Sequence, residues 1–216
     1  MKRTLTRVAL LGMAMIVGFA ACEKDNDNTG IINGYEWVDL GLPSGLKWAT
    51  CNVGATSPEE YGNYYAWGET TTKTEYTYVN STTSTVELPD ISGNPTYDAA
   101  CANWESTWRM PTRAEMQELK DECTWTWTTQ NGVDGFKVRG KNGMSIFLPA
   151  AGEYHGAMHY TTSSGYWSST PTPENENYTQ TYTGACCLTF YNGGYACGVS
   201  TSHSRSYGQT IRPVSD

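Results

Sequence analysis

The chain has 216 residues and carries 22 acidic residues against 14 lysines and arginines, which gives a formal net charge of −8. Such a charge repels phosphate backbones, and because the sequence contains no basic stripe we exclude nucleic acid as a partner. With 15 tyrosines and 8 tryptophans but few long aliphatic runs, the chain is expected to build its core from aromatic side chains and short strands.

The first 21 residues have the pattern of a secretory signal. A basic start precedes an uncharged apolar run from Val8 to Ala21, which is too short for a membrane-spanning helix of about 20 apolar residues. The run ends in Phe19-Ala20-Ala21-Cys22 and resembles the lipobox of bacterial lipoproteins, whose cysteine is acylated. We therefore predict a lipoprotein signal peptide at 1–21 and lipidation at Cys22. The alternative is an ordinary signal peptide followed by a coincidental cysteine.

The residues just after Cys22, at 23–28, are polar and charged, and we predict a flexible tether at residues 22–34. The acidic stretch after Cys22 also resembles the surface-export signal of Bacteroidetes lipoproteins, which implies an outer-membrane lipoprotein exposed at the cell surface. A plain solvated tether is the alternative. Without residues 1–21 the chain keeps 11 of its 14 basic residues and all 22 acidic ones, so its net charge becomes −11. The remaining residues, 35–216, have a suitable length for one domain.

Six cysteines follow the lipidated one, and an even number in an exported protein suggests disulfides. A hairpin that turns at Asn192-Gly193-Gly194 would bring Cys187 close to Cys197. Cys51 and Cys123 are the next candidate pair, because each adjoins a tryptophan-rich segment. Unpaired thiols are the alternative, since no spacing forces pairing, and the lack of a C-x-x-C pair disfavours zinc.

The first half of the predicted domain alternates between strands and turns. Residues 36–40 and 46–51 flank a Gly- and Pro-containing turn, which predicts an opening hairpin. Residues 70–95 are rich in Thr and Ser and are interpreted as a long polar surface insertion.

Two helices are predicted after this insertion. Residues 97–104 can form a short one. Thr112 and Glu115 have the T-x-x-E spacing of a capping box, and apolar residues from Met116 onward repeat on one helical face. We expect this second helix to end near Glu122 and to pack its apolar face on a sheet.

The second half of the domain has the pattern of strands. Residues 124–128 alternate strictly, residues 145–149 follow the hairpin turn Lys141-Asn142-Gly143, and residues 165–169 form another strand. A last strand is predicted at 210–214.

Seven motifs occur in order over nearly all of residues 35–215. They are D-L-G-L-P-S-G at 39–45, W-A-T-C-N-V-G-A at 48–55, Y-Y-A-W-G-E at 64–69, W-R-M-P-T at 108–112, F-L-P-A-A-G at 147–152, G-Y-W-S-S at 165–169 and I-R-P-V at 211–214. Together they are similar to the family named for the major paralogous domain of Fibrobacter succinogenes. That family is typical of lipoproteins from gut-type Bacteroidetes, and its biochemical role is largely undefined.

A more distant likeness implies a fold. The order W-R-M-P-T-x-x-E, then Y-W-S-S, then R-P-V resembles formylglycine-generating enzymes and other C-type-lectin-like domains. The resemblance implies an α+β fold with a terminal hairpin, one or two helices and an irregular, loop-rich antiparallel β core. We therefore predict a single C-type-lectin-like domain over residues 35–216.

As a binding module, such a domain would stack sugar rings on aromatic side chains and hydrogen-bond sugar hydroxyls with carboxylates and amides. The candidate ligand-binding residues are Glu153, Tyr154, Tyr160, Glu174, Asn175, Glu176 and Asn177. Glu174 and Glu176 offer hard oxygen ligands that suit Ca²⁺, the one cofactor suggested by the sequence; a solvated acidic loop is the alternative. Four tryptophans are expected to pack in the core instead: Trp48, Trp108, Trp125 and Trp167.

No catalytic residue is predicted. The late pair of cysteines, spaced five apart in formylglycine-generating enzymes, is absent here because Ser202 stands five residues after Cys197. His155 and His159 are four apart, but a glycine between them argues for a loop rather than for a metal-binding helix. His203 has no obvious partner in the sequence.

These observations predict a non-catalytic, lipid-anchored envelope protein that binds carbohydrate. A surface adhesin or a structural subunit of an envelope complex is the alternative, because the Tyr and Thr side chains of residues 70–95 could equally serve protein contacts. The expected partners are the membrane, through the lipid anchor, and either a glycan or an envelope protein.

Overall fold

The computed structural model describes residues 28–105, 107–173 and 183–216. These residues form two helices and four sheets of antiparallel strands, so the predicted α+β class is confirmed. The helices are α1 (Ala99–Trp104) and α2 (Arg113–Glu122). The strands are β1 (Thr29–Ile32), β2 (Tyr35–Asp39), β3 (Lys47–Ala49), β4 (Thr124–Gln130), β5 (Val133–Arg139), β6 (Ser145–Pro149), β7 (Glu153–His155), β8 (Met158–Tyr160), β9 (Ser163–Pro171), β10 (Gly184–Tyr191), β11 (Tyr195–Ser204) and β12 (Val214–Ser215).

The first and last described strands belong to one four-stranded sheet, in the order β1-β2-β3-β12. The predicted opening hairpin is confirmed as β2 and β3, with Val38 opposite Trp48. Val214 of β12 pairs with the other edge of β3, also opposite Trp48. The last described strand of the chain therefore lies in the same sheet as the first three.

Strand β1 corrects the tether predicted at 22–34. Residues Thr29–Ile32 pair with β2 in a regular antiparallel register, in which Gly30 lies opposite Trp37. A Cβ atom at Gly30 would lie 2.8 Å from the Trp37 ring, so the glycine leaves the space that the indole needs. The polar residues before this segment suggested a tether, but β1 contains Ile31 and Ile32, pairs along its length with β2 and packs Ile32 against buried core residues.

A buried aspartate, Asp98, is the N-cap of helix α1. Asp98 accepts hydrogen bonds from the backbone N–H groups of Ala100 at 2.9 Å and Cys101 at 3.0 Å, which caps the helix. Its second oxygen accepts from Gly93 and Met110, each at 2.8 Å. Burial raises the pKa of this carboxyl although the four backbone bonds oppose that shift. The short helix predicted here is confirmed and starts two residues later than expected.

Helix α2 has the predicted capping box. The Glu115 N–H donates to Oγ1 of Thr112 at 3.3 Å, and the Thr112 N–H donates to Oε2 of Glu115 at 2.7 Å. The helix ends at Glu122 and buries Met116 and Leu119, which confirms its predicted extent and apolar face. Neither helix of the described chain is long and apolar enough to cross a membrane.

Two clusters of buried side chains form the core. Leucine and other aliphatic side chains predominate in the first cluster, which includes Trp48, and tryptophan is prominent in the second, which includes Trp67, Trp104, Trp108 and Trp167. Trp48, Trp108 and Trp167 are at most 1% exposed, which confirms their predicted core positions. Trp125 is half-buried on β4 and packs edge-on against Phe136, with the ring centroids 5.5 Å apart. Aromatic side chains thus supply much of the second cluster, as expected, whereas the first depends mainly on aliphatic side chains, which differs from the expectation.

No disulfide joins the six described cysteines, so the two predicted bridges are wrong for this structure. The predicted hairpin of β10 and β11 is present, but its register places Cys197 opposite Phe190 and Cys187 opposite Ser200. Cys187 packs in one core cluster and Cys197 in the other. The other candidate pair is separated in the same way, because Cys51 packs with the second cluster and Cys123 with the first.

The segment 70–95 is more deeply packed than a surface insertion. Tyr76, Thr83 and Ile91 are at most 4% exposed. The Ile91 N–H donates to the carbonyl of Ser169 on β9 at 3.1 Å, and the Thr83 hydroxyl donates to the carbonyl of Trp67. The segment lacks helices and strands, yet these bonds attach it to the core.

Candidate functional site

The hairpin of β7 and β8, which the sequence analysis missed, carries three of the predicted ligand-binding residues. Its strands are joined at Gly156-Ala157, where Gly156 has a φ of +61°, a conformation that glycine adopts at little cost. Glu153 pairs with Tyr160, and Tyr154 pairs with His159. Since side chains alternate along a strand, Tyr154 and His159 lie on one side of the hairpin, and Glu153 and Tyr160 on the other.

Backbone hydrogen bonds attach this hairpin to two irregular segments. Tyr154 exchanges two bonds with Gly208, at 2.8 and 2.9 Å, and Gly156 exchanges two with Tyr76, both at 2.8 Å. A Cβ atom at Gly208 would lie 2.8 Å from the Tyr76 ring, so the glycine allows the ring to approach the backbone. The hairpin therefore holds the 70–95 segment and the C-terminal segment in fixed positions.

Three tyrosines line a solvent-open cleft of about 360 Å³ on the first side of the hairpin: Tyr64, Tyr76 and Tyr154. The Tyr64 ring meets Tyr154 edge-on with centroids 4.8 Å apart, and Tyr154 stacks on His159 at 4.6 Å. Tyr76 is buried, and its hydroxyl donates to the Tyr64 carbonyl at 2.5 Å. Tyr64 and Tyr154 are half-buried, so both offer ring surface to the cleft.

The polar side chains that line this cleft are Asn63, Thr72, Lys73 and Thr74. The Lys73 ammonium lies 2.5 Å from Oε2 of Glu69, which neutralises its charge, and it donates to the Asn80 carbonyl at 2.6 Å. None of the described residues that line the cleft is acidic. The cleft therefore presents aromatic rings and neutral polar groups.

The other side of the hairpin contains a network around Glu153, which is 6% exposed. The carboxylate accepts hydrogen bonds from Oγ of Ser163 and Nε2 of Gln209, both at 3.0 Å. Nε2 of His155 lies 3.4 Å from one of its oxygens, and Nδ1 of His203 lies 3.7 Å from the other. Burial raises the pKa of this carboxyl, but the contacts with His203, Ser163 and His155 outweigh burial, so its pKa is lowered overall.

The structure places one of the seven predicted ligand-binding residues, Tyr154, at the cleft. Tyr160 lies on the opposite side of the same hairpin and is 38% exposed, while Glu153 is buried beside it. The stretch 174–177, with its predicted calcium ligands, and Cys22 lie outside the described residues. Their assigned roles stay predictions.

Sequence reasoning missed Tyr64, Tyr76 and Lys73 as members of the site. One sequence feature could have pointed to Tyr64, because this residue belongs to the Y-Y-A-W-G-E motif at 64–69. Nothing in the sequence shows that this motif and residue 154, about ninety positions later, line the same cleft. Backbone bonds at Tyr76 and Gly208 bring them together.

The three histidines of the chain lie in and around this hairpin, but they do not form a metal site. His155 and His159 lie on opposite sides of the hairpin, which explains why their spacing of four does not bring them together. His203, for which no partner was expected, lies 2.9 Å from Nε2 of Gln209. Within the described residues, no three His, Cys, Asp or Glu side chains are arranged to hold a metal ion.

A scan against models of protein families found no match for this chain, and searches of curated proteins and of solved structures found none either. The family and C-type-lectin-like resemblances therefore stay predictions. What bears on function is the geometry of the cleft.

Proposed function

We propose that this chain is a lipid-anchored protein exposed on the outer membrane, and that its C-type-lectin-like domain binds carbohydrate without catalysing a reaction. The observation that carries the binding proposal is the cleft beside β7 and β8, where Tyr64 and Tyr154 offer ring surface next to neutral polar groups. The anchor rests on the sequence pattern that ends at Cys22.

The chemistry of the cleft suits a sugar ring. Its C–H faces pack on aromatic rings, and its hydroxyls need donors and acceptors of the kind that Asn63, Thr72 and Thr74 supply. Since Lys73 is already paired with Glu69, a charged ligand finds no unpaired counter-charge among the described lining residues. A neutral glycan is therefore the ligand we favour.

The rings of the cleft are held in place by the protein itself. Tyr154 is fixed by its stack on His159 and by its two backbone bonds to Gly208. A ring that is already ordered loses little conformational freedom when a ligand binds, which favours affinity. This preorganisation supports recognition by a rigid surface.

The C-type-lectin-like architecture is supported by three features of the described chain. Strands β3 and β12 bring the two ends into one sheet, two helices are present, and long irregular segments connect the antiparallel strands. These are the features that the sequence resemblance implies.

A glycan-array screen of the full-length protein in detergent, run with calcium and again with EDTA, tests the proposal. We expect reproducible binding to one class of neutral glycan under both conditions, because the described cleft has no acidic metal ligand. Binding that disappears in EDTA would assign recognition to the 174–177 stretch instead. A blank array under both conditions would contradict carbohydrate binding.

The anchor has its own test. Cys22→Ser should release the protein from the membrane fraction, whereas Cys51→Ser, with an unlipidated cysteine changed in the same way, should leave it there. Retention of the Cys22→Ser protein in membranes would refute lipidation at this residue.

Protein contact is the second candidate function, and one exposed turn favours it. Asn80 accepts from the Thr77 N–H at 3.1 Å, and its own N–H donates to the Thr77 hydroxyl at 3.3 Å. The turn so braced exposes 53% of Tyr78 and 93% of Val79. If adhesion depends on this turn, Val79→Ser will reduce binding to cells and free sugars will not compete.

A further inference from the structure

The hairpin that carries the cleft also has an ionisable network on its other side, and the proposed binding makes no direct use of it. We propose that protonation of His155 tightens glycan binding at the cleft, so that the protein binds its glycan more strongly at mildly acidic pH than at neutral pH. The inference rests on the proposed function, because it concerns the regulation of that site. His155 acts here as a positioning residue, through the hairpin.

The first observation is a pair of incomplete polar contacts. Nε2 of His155 is buried and has no hydrogen-bond partner among the described residues. It lies 3.4 Å from the carboxylate of Glu153, whose described hydrogen bonds come from the uncharged groups of Ser163 and Gln209. A proton on Nε2 would give the buried carboxylate a charged donor and the orphaned nitrogen an acceptor. Such charge-assisted bonds are stronger than neutral ones.

The second observation is the pair of rings that enclose His155. The imidazole stacks on Tyr207 with centroids 3.7 Å apart and planes within 17°, and it lies 4.6 Å from the Tyr160 ring. A protonated imidazole is attracted by the faces of both rings. Tyr160 belongs to β8, and Tyr207 precedes Gly208, which bonds the backbone of Tyr154. Protonation therefore strengthens contacts on β7, on β8 and on the C-terminal segment together.

The other titratable side chains that face this network are those of His203, Cys187, Tyr160 and Tyr207. Nδ1 of His203 lies 2.9 Å from the Gln209 amide nitrogen and 3.7 Å from Oε2 of Glu153, on the side of the carboxylate away from His155. Cys187 faces Glu153 from β10, and burial raises the pKa of its thiol well above the ordinary value, so it stays neutral. Ser163 on β9 and the phenols of Tyr160 and Tyr207 complete the surroundings.

The network reaches the cleft through one residue. Tyr154 lies between Glu153 and His155 on β7, and its ring lines the cleft. The bonds to Gly208 and the stack on His159 already hold Tyr154. Tighter contacts at both of its neighbours reduce further the conformational freedom that this residue loses when the glycan binds. By linkage, glycan binding must then take up protons from solution near neutral pH.

The test is calorimetric titration of the full-length protein with the glycan that binds best on the array, at about pH 5.5 and pH 7.5, within the pH range in which histidine acts as a charge switch. The wild-type protein should bind about fivefold more tightly at the lower pH, the lower end of typical couplings. His155→Gln should bind at both pH values with nearly equal affinity. His159→Gln, which changes a histidine on the opposite side of the same hairpin, should keep the pH dependence whatever its absolute affinity.

A second arm needs no ligand. Between pH 7.5 and pH 5.5 the wild-type protein should gain stability to urea relative to His155→Gln, because only the wild type can place a proton on Nε2 of His155 beside Glu153. His203, which faces the other oxygen of the carboxylate, is present in both proteins, so its effect cancels in the comparison. Wild-type glycan affinity that is equal at both pH values would overturn the inference and leave the proposed function intact. If no glycan binds at either pH, the proposed function fails and the ligand-free arm decides alone. An unchanged stability difference there would overturn the protonation step.

Discussion

At the scale of single residues, Arg212 shows how a buried charge can hold irregular segments together. It is 1% exposed, and its Nε donates to Oδ1 of Asn52 at 2.9 Å. Its two terminal nitrogens donate to the carbonyls of Ala49 at 3.2 Å and Phe147 at 2.9 Å. One side chain thus joins β3, β6, the loop after β3 and the C-terminal segment.

We expect Arg212→Met to lower the free energy of unfolding by roughly 3 kcal/mol or more. Three buried acceptors lose their donor, and each unsatisfied group costs about 1–3 kcal/mol. Arg139→Met is the matched control, because Arg139 is exposed, and its effect should stay within about 0.5 kcal/mol. Urea unfolding measures both. Similar losses for the two variants would contradict a bracing role for Arg212.

Glu153 predicts a pH dependence whose sign follows from its lowered pKa. A carboxyl with a lower pKa in the folded state than in the unfolded state stabilises the fold above its ordinary value of 4.5, and that contribution is lost as the pH falls through the folded value. Glu153→Gln should therefore destabilise the protein at pH 7 by roughly 1–3 kcal/mol, since the contacts of the carboxylate with His203, Ser163 and His155 no longer involve a charge on residue 153. The difference in the free energy of unfolding between the wild type and Glu153→Gln should disappear below pH 4.5. A stability difference that grows below this pH would show that folding raises the pKa of Glu153 rather than lowering it.

Residue types predicted burial for the tryptophans but not for the charges. The core of an aromatic-rich chain has to accommodate large indole rings, so Trp48, Trp108 and Trp167 were expected there, whereas Trp125, which was also expected there, is only half-buried. Arginine is normally exposed, and nothing in the I-R-P-V motif shows that Arg212 meets three separate acceptors. Those acceptors come from distant parts of the chain.

At the scale of elements, the close approach of two backbone segments explains why residue 140 is a glycine. A Cβ atom at Gly140, just after β5, would lie 1.9 Å from the Leu40 carbonyl oxygen, whereas one at Gly198 on β11 would meet nothing within 4 Å.

We therefore expect Gly140→Ala to cost about 1–3 kcal/mol, because the backbones must separate, while Gly198→Ala should have an effect within about 0.5 kcal/mol. Thermal or urea unfolding of the pair measures the difference. Equal costs would show that the approach at Leu40 is not a constraint.

Elements with local signals could be predicted, and those that depend on neighbours could not. The capping box of Thr112 and Glu115 and the strict alternation at 124–128 are encoded by adjacent residues, so α2 and β4 were expected. Strand β1 and the hairpin of β7 and β8 are only three or four residues long, too short for a periodic pattern. They exist because Trp37, Tyr76 and Gly208 supply their contacts.

At the scale of the whole molecule, the state of the cysteines shows whether disulfides contribute to stability. Because no disulfide joins the six described cysteines, a reducing agent should leave the thermal midpoint unchanged. Alkylation of the unfolded protein without prior reduction should modify all six. The loss of one native disulfide costs about 2–5 kcal/mol, so a fall in midpoint of about 5 °C or more would contradict this account.

The global arrangement follows from contacts between distant segments, which is why the site was only partly foreseen. The sequence order suggested a terminal hairpin and a binding surface near 153–160, and Tyr154 does line the cleft. The register of β10 with β11 separated Cys187 from Cys197, and the 70–95 segment brought Tyr76 and Lys73 to the site. No local pattern encodes either result.

The most direct test of the central claim compares the affinity of the array-selected glycan for the wild type, Tyr154→Ala and Tyr191→Ala. Tyr191 is 56% exposed on β10 and does not line the cleft, so it is the matched tyrosine control. We expect Tyr154→Ala to weaken binding at least about tenfold, since an aromatic contact contributes on the order of 1.4 kcal/mol or more, and Tyr191→Ala to bind like the wild type. Circular dichroism should show both variants folded. Wild-type affinity in a folded Tyr154→Ala protein would place the glycan elsewhere and contradict the account.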